Sequence, residues 1–482
     1  MKKLLPHIGL AFIMFVFWLI PYILIDKGIN YTIAENIILI FLGVVIGASL
    51  SLFKNTLFAL EAFIYIPFIF SHTLDGYTIP VCLFIAAGLA FIGMVIHIIR
   101  FKIKIKFPKL FISFCVFAFG LLIGGIATKE EYWWTQFFVM LFACVGLLAI
   151  LVFFNSTVEK PAFIDICNLL IIFGFYIILQ GLIAVVIKSD FTLALINGRM
   201  VDVGWGRCNN IGVVLLLVYP LPAYYMFKYP NSIVGFIASL IGPSFFAFAI
   251  FFFMSKGSVA VAFCGIILQY LFLFIYLSIT KQWKRFFVVL GWVVVFVGLG
   301  TVVILVANTK IPVLEQIKAA LDTIKYYGNT LNGRTIIWER ALKAVMSEQP
   351  IFGFGLFAGY NEIFGADMND ALFNWCHSTL IQALFSGGIV GLLCMLYHLF
   401  IKYFYLFKNI SAEKFILICS FLASGIYGMI DVSYFFINYM ILFIVIVVLC
   451  DDIYQDNHRT LKKQFKKFNN GYEKSFKKEG VA

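Results

Sequence analysis

The sequence predicts an all-α, polytopic integral membrane protein of about 14 transmembrane helices with one large, partly helical extracytoplasmic loop. Three observations predict it. The 482 residues are 63% hydrophobic and only 12% charged, and the mean hydropathy is +1.00. Soluble domains carry about twice that charged fraction, so the solvent for most of this chain must be lipid. Apolar runs of spanning length recur along the chain, and positive charges fall between them in alternation.

The runs lie near 8–25, 33–53, 56–71, 79–99, 108–127, 134–154, 166–187, 210–227, 232–254, 257–280, 286–306, 378–402, 414–430 and 432–450. Each approaches the length a helix needs to cross the hydrocarbon core. The run at 56–71 is short and carries Glu61, and the last two are separated only around Asp431. The N-terminus reads Met1-Lys2-Lys3 before its apolar run, as a signal peptide would. No small-residue cleavage site follows, and Pro21, Tyr22 and Ile23 continue the run, so it reads as the first membrane helix.

With the N-terminus inside, the cytoplasmic connections hold Lys54; Arg100, Lys102, Lys104, Lys106 and Lys109; Lys160; Lys228; Lys281, Lys284 and Arg285; Lys402, Lys408 and Lys414; and the basic tail. The opposite connections hold Asp26, Asp75, Glu130 and Glu131. This alternation predicts an even helix count with both termini in the cytoplasm. The chain divides into N-terminal transmembrane helices (1–187), transmembrane helices with outside cationic segments (188–306), a large extracytoplasmic loop (307–377), C-terminal transmembrane helices (378–450) and a basic cytoplasmic tail (451–482).

The formal net charge of +12 would suggest nucleic acid in a soluble protein. Here it collects on one side of the membrane, where anionic lipid is the partner, and no nucleic acid is expected. Most of the ten cysteines (Cys82, Cys115, Cys144, Cys264, Cys394 and Cys419 among them) sit in apolar runs, without CxxC or Cys/His metal spacing, so neither a disulfide nor a zinc site is expected. There is no Walker A, H-E-x-x-H or nucleophile elbow, so chemistry without ATP, metal or other cofactor is the simpler expectation.

Two outside segments exceed the usual loop length, Lys188 to Asn210 and Asn308 to about Trp375. The second has apolar residues at helical spacing. Arg334 to Met346 reads as an amphipathic helix with Ile337, Ala341, Leu342 and Val345 on one side, Asn332 as N-cap and Pro350 just past its end. Asn308 to Tyr327 reads as another, through Ile317, Leu321 and Ile324.

These segments concentrate cations against the positive-inside bias. Of seven arginines in the chain, Arg199, Arg207, Arg334 and Arg340 lie in them, and Lys256 lies in the turn Met254-Ser255-Lys256-Gly257. A guanidinium fork suits a phosphate, so the set could clamp a lipid-linked diphosphate; the plainer reading is surface charge paired with Asp202, Glu339, Glu362 or Asp367. His377, in Trp375-Cys376-His377-Ser378, sits where the loop re-enters the membrane and could act as a general base, or be an interfacial histidine without a role. His7, His72, His97, His398 and His458 are poorer candidates. Glu61 is the most conspicuous carboxylate in an apolar run, and one acid does not make a proton relay.

Four stretches then come in order: Asn332-Gly333-Arg334-Thr335-Ile336-Ile337-Trp338-Glu339-Arg340-Ala341-Leu342, Pro350-Ile351-Phe352-Gly353-Phe354-Gly355, His377-Ser378-Thr379-Leu380-Ile381-Gln382 and Gly387-Gly388-Ile389-Val390-Gly391-Leu392. Together with Val203-Gly204-Trp205-Gly206-Arg207-Cys208-Asn209-Asn210 and Ser255-Lys256-Gly257, this order resembles the O-antigen ligase/polymerase family. The resemblance covers roughly Arg199 to Leu392. It departs at Ser378, where the family has Asn, and at Lys256, where it has Arg.

The resemblance implies a metal-independent membrane glycosyltransferase of the bacterial inner membrane, using undecaprenyl-diphosphate-linked glycan as donor and acceptor. It implies His377 and Arg334 as catalytic residues, and Arg199, Arg207, Lys256 and Arg340 as ligands of the substrate diphosphate. A flippase and a chain-length regulator are candidate protein partners. Polymerisation of repeat units into a capsule, exopolysaccharide, O-antigen or teichuronic-type polymer is the favoured activity, with ligation of finished glycan as the alternative. A lipid-linked oligosaccharide flippase and a non-catalytic scaffold are the readings from other classes.

Overall fold

The computed structural model describes residues 4–27, 29, 32–69, 81–128, 130–187, 201–229, 232–253, 255–279, 281–310, 334–356 and 375–454. Arg199, His72, Asp75, Asn332, Glu362, Asp367, His458, most of the expected helix from Asn308 to Tyr327, and the tail from residue 455 lie outside the described residues, as do the side chains of Glu130, Glu131 and Lys256.

The described residues are helical throughout, with no strand among them. In order the helices are α1 (Leu5–Asp26), α2 (Thr32–Leu52), α3 (Leu57–Tyr65), α4 (Val81–Phe101), α5 (Phe111–Leu122), α6 (Glu130–Thr157), α7 (Phe163–Ile187), α8 (Cys208–Val218), α9 (Tyr224–Lys228), α10 (Ile233–Phe252), α11 (Lys256–Ile279), α12 (Trp283–Lys310), α13 (Arg334–Glu348), α14 (Thr379–Phe407), α15 (Ala412–Gly428), α16 (Ile437–Leu449) and the short α17 (Asp451–Tyr454).

Each of the expected apolar runs is helical, but ten spans among the described residues are long and apolar enough to cross a membrane. α3, α5, α15 and α16 fall short, for local reasons. A 3₁₀ turn containing Pro67 ends the third run early, since proline has no N–H to donate. α5 stops before Gly125, whose φ is 75°. α15 opens on Glu413 and Lys414, and a turn around Asp431 separates it from α16. α8 and α9 together form one span, interrupted by a 3₁₀ turn around Pro220 and Pro222.

Apolar side chains face outward all round the bundle, Phe142 and Val186 being 76% exposed. This is the inverse of a soluble protein, and it fits a lipid solvent. α8 and α16 run through the centre, almost wholly buried. α2 and α4 meet backbone to backbone, because a Cβ on Gly93 would lie 2.6 Å from Gly47 Cα.

The break in α14 positions the site. Gly388 there has φ 60° and ψ −158°, a region that only glycine occupies readily. A helix broken in a membrane leaves backbone groups that must find partners. The segment from Pro350 to Gly355 supplies them. Ile389 N–H donates to Pro350 O (2.9 Å) and Val390 N–H to Ile351 O (3.2 Å). Phe354 and Gly355 N–H donate in turn to Phe385 O and Ser386 O, each at 2.9 Å, and Gly125 N–H donates to Phe352 O at 2.8 Å. The turn after α13 is thus stitched into the break of α14 and the end of α5. A Cβ at Gly388 would lie 2.3 Å from Ile351 O. Gly388→Ala is therefore expected to cost about 3 kcal/mol or more, read as a lower melting temperature of the detergent-purified protein; an unchanged temperature would show that the break is not held this way.

Candidate active site

α13 is amphipathic, as its sequence pattern requires. Ala341 and Val345 are buried against the first turns of α14 and Ile337 is buried too, while Leu342 is 38% exposed, contrary to expectation. At 100° per residue, Leu342 lies too far round the helix from Ile337 to share its face. This docking brings Arg334, the first residue of α13, over the turn between α15 and α16.

That turn holds Asp431, whose side chain is 2% exposed. An Arg334 terminal nitrogen lies 3.8 Å from Asp431 Oδ2, and His377 Nδ1 lies 3.6 Å from Oδ1. The Tyr427 hydroxyl donates to Oδ2 and the Val432 N–H to Oδ1, both at 2.9 Å. Thr379 Oγ1–H donates to the Asp431 carbonyl at 3.1 Å, tying the start of α14 to the same turn. Burial alone would raise the Asp431 carboxyl, but His377, Arg334 and the Val432 N–H outweigh it and hold the group below the usual carboxylate range. A buried carboxylate is tolerated because cations and donors surround it.

His377 reaches this position from a strained backbone, with φ 46°. Ser378 follows as the N-cap of α14, its side chain accepting from Ile381 N–H. The Ser378 that departs from the family pattern thus has a capping role.

The turn at Ser255 closes another side. Ser255 Oγ is hydrogen-bonded to Asn209 Oδ1 (3.1 Å) and to Ser258 Oγ (2.8 Å), and Gly257 packs on Tyr427 and Ile430. Lys256 therefore starts α11 beside the Asp431 turn, its side chain lying outside the described residues. Arg207 caps α8, and Cys208 beside it is near enough to Asp431 to feel its charge. The Arg207 side chain is 64% exposed, with Nε 3.9 Å from Asp202 Oδ2. The segment carrying Arg207 is anchored by Trp18 Nε1–H to Val203 O and Trp205 Nε1–H to Gln180 Oε1, each 2.9 Å.

Of the residues singled out in the sequence, Arg334 and His377 converge on Asp431. Arg207 lies at the adjoining helix end, directed toward Asp202. Arg340 is exposed on α13, six residues beyond Arg334 and so about 120° round the helix from it. Glu61 stands apart from the site: it is buried, with Oε2 2.6 Å from His7 Nδ1.

Residues 243–396 match the family model described as O-antigen ligase. This segment is similar to the O-antigen ligase family. It runs from within α10 into α14 and includes Lys256, Arg334, Arg340 and His377. Asp431, Tyr427 and Arg207 lie outside the matched residues. No curated protein matches the chain.

Sequence reasoning missed Asp431, Tyr427 and Thr379. The one available signal was the lone acid between the last two apolar runs, since an ionisable residue at membrane depth is expensive and marks a pathway or a site.

Proposed function

We propose that this chain polymerises undecaprenyl-diphosphate-linked oligosaccharide repeat units into a surface polysaccharide on the outer face of the cytoplasmic membrane. The observation that carries the reading is the meeting of His377 and Arg334 at Asp431, within and beside an O-antigen ligase segment.

A hydroxyl of the acceptor sugar attacks the anomeric carbon of the donor chain. The bond from that carbon to the phosphate oxygen breaks, and the lipid diphosphate leaves with the electron pair. With Asp431 against Nδ1, the His377 Nε2 is the atom that takes the hydroxyl proton. The carboxylate then stabilises the imidazolium that forms. A guanidinium has five N–H donors, so one edge of Arg334 faces Asp431 while another meets the developing charge on the diphosphate. Lys256, Arg207, Arg199 and Arg340 are proposed as the further cations that bind the diphosphate. The diphosphate linkage supplies the driving force, so no nucleotide enters the site.

A gel profile of surface glycan tests this in a deletion strain complemented with wild type or with His377→Ala. Loss of long chains from His377→Ala cells, with single repeats still delivered to their final acceptor, is the expected result. Long chains accumulating on the lipid carrier would instead identify a ligase, the reading favoured by the description of the matched family. Full-length polymer from His377→Ala expressed at normal level would remove the assigned role.

A further inference from the structure

The backbone of Cys376, the residue before His377, is gripped through both its C=O and its N–H. Trp338 Nε1–H donates to the Cys376 carbonyl at 2.8 Å, and Cys376 N–H donates to Gln382 Oε1 at 2.9 Å. The Gln382 amide is itself oriented, since its Nε2 donates to Ser386 Oγ at 2.9 Å. Cys376 and Gln382 are fully buried. The next residue, His377, holds φ 46°, a conformation that costs a non-glycine residue about 1–3 kcal/mol unless its surroundings impose it. Released, the backbone would relax toward negative φ and swing the imidazole away from Asp431.

Trp338 lies four residues after Arg334, on the same face of α13 and one turn along. The indole that holds the Cys376 carbonyl and the guanidinium that faces Asp431 therefore move as one body.

We infer that Trp338 and Gln382 are positioning residues that act through the Cys376 backbone, holding His377 in its left-handed conformation and fixing its spacing from Arg334. This rests on the role proposed for His377. Neither residue touches the reacting atoms. Both decide where the base sits, and a misplacement of about 1 Å is enough to cost about a hundredfold in rate.

The test uses the full chain in proteoliposomes. Its substrate is radiolabelled lipid-linked repeat unit purified from a strain deleted for this chain. Trp338→Phe keeps an aromatic ring and removes the N–H. Site-specific replacement of Trp338 by its benzothiophene isostere removes the N–H with almost no change of shape, and decides the matter should the phenylalanine variant fold poorly. Gln382→Met removes the other grip. In each, kcat is expected to fall about 10- to 100-fold with KM changed less than about threefold. In a His377→Ala background the same replacements are expected to cost nothing further, because the group they position is gone.

Wild-type kcat in the benzothiophene variant would overturn the inference. So would a loss that adds in full to that of His377→Ala, which is the mark of a general packing defect. Wild-type kcat in His377→Ala alone would instead remove the proposed role of His377.

Discussion

Asp431→Asn is expected to lower kcat about a thousandfold, in the middle of the range for a general base. The carboxylate faces four donors: Arg334, His377, the Tyr427 hydroxyl and the Val432 N–H. An asparagine can keep an oxygen toward Val432. Its NH₂ must then face Tyr427 and Arg334, donor against donor. The negative charge that would stabilise a protonated His377 is lost in the same step, and the Arg334 side chain, only 16% exposed, loses its counter-charge. Removing one partner of a buried ion pair costs about 3–5 kcal/mol when the other stays buried, so thermal stability should fall as well.

The pH dependence follows from the lowered carboxyl of Asp431. Its stabilising contribution is present above the unfolded value and is lost as pH falls through the folded one, below the ordinary carboxylate range. Asp431→Asn should lack that acid limb. Single-turnover kinetics and acid unfolding of the purified variant check both effects, and activity within about fivefold of wild type would contradict the central place given to this carboxylate.

Arg334→Ala is expected to lose about a thousandfold in kcat/KM, and Arg334→Lys to recover little of it. The guanidinium is asked to face Asp431 and a phosphate at once, which needs several donors in a rigid plane. A lysine ammonium has the charge but offers a single point, and in this setting it would turn to Asp431 alone. Removing one donor to developing negative charge in a water-poor site typically costs about a hundred- to a thousandfold, and the loss of the anchor on His377's partner adds to it. Initial rates with the lipid-linked repeat unit decide the point. Wild-type kcat/KM in Arg334→Lys would mean that charge alone matters and that the planar fork does not.

Much of the site was legible because its chemistry conflicts with its location. Arg334 and His377 stand out since polar and cationic groups beside membrane-spanning helices are costly in lipid and, on the topology expected from the sequence, run against the positive-inside bias. The amphipathic face of α13 was legible through Ile337, Ala341 and Val345, which recur at helical spacing. Asp431 was visible only as a break between two apolar runs. Its partners come from residues about 50 and 100 positions away along the chain, and no local pattern encodes such a meeting. Arg207 shows the converse. It has the right type and neighbourhood, yet the ion pair with Asp202 decides where its side chain points.

Composition and periodicity by themselves determined that this chain is a helical membrane protein and where its apolar segments lie along the chain. Those are properties of single segments in a lipid solvent, and each segment carries them alone. Only the tertiary structure decided that Gly388 breaks α14, that the Pro350–Gly355 segment fills the break, and that α13 then docks Arg334 and Trp338 around His377 and Asp431. The physical reason is that a broken helix in a membrane must find its missing hydrogen bonds in another segment, so the placement of the site depends on which distant stretch supplies them.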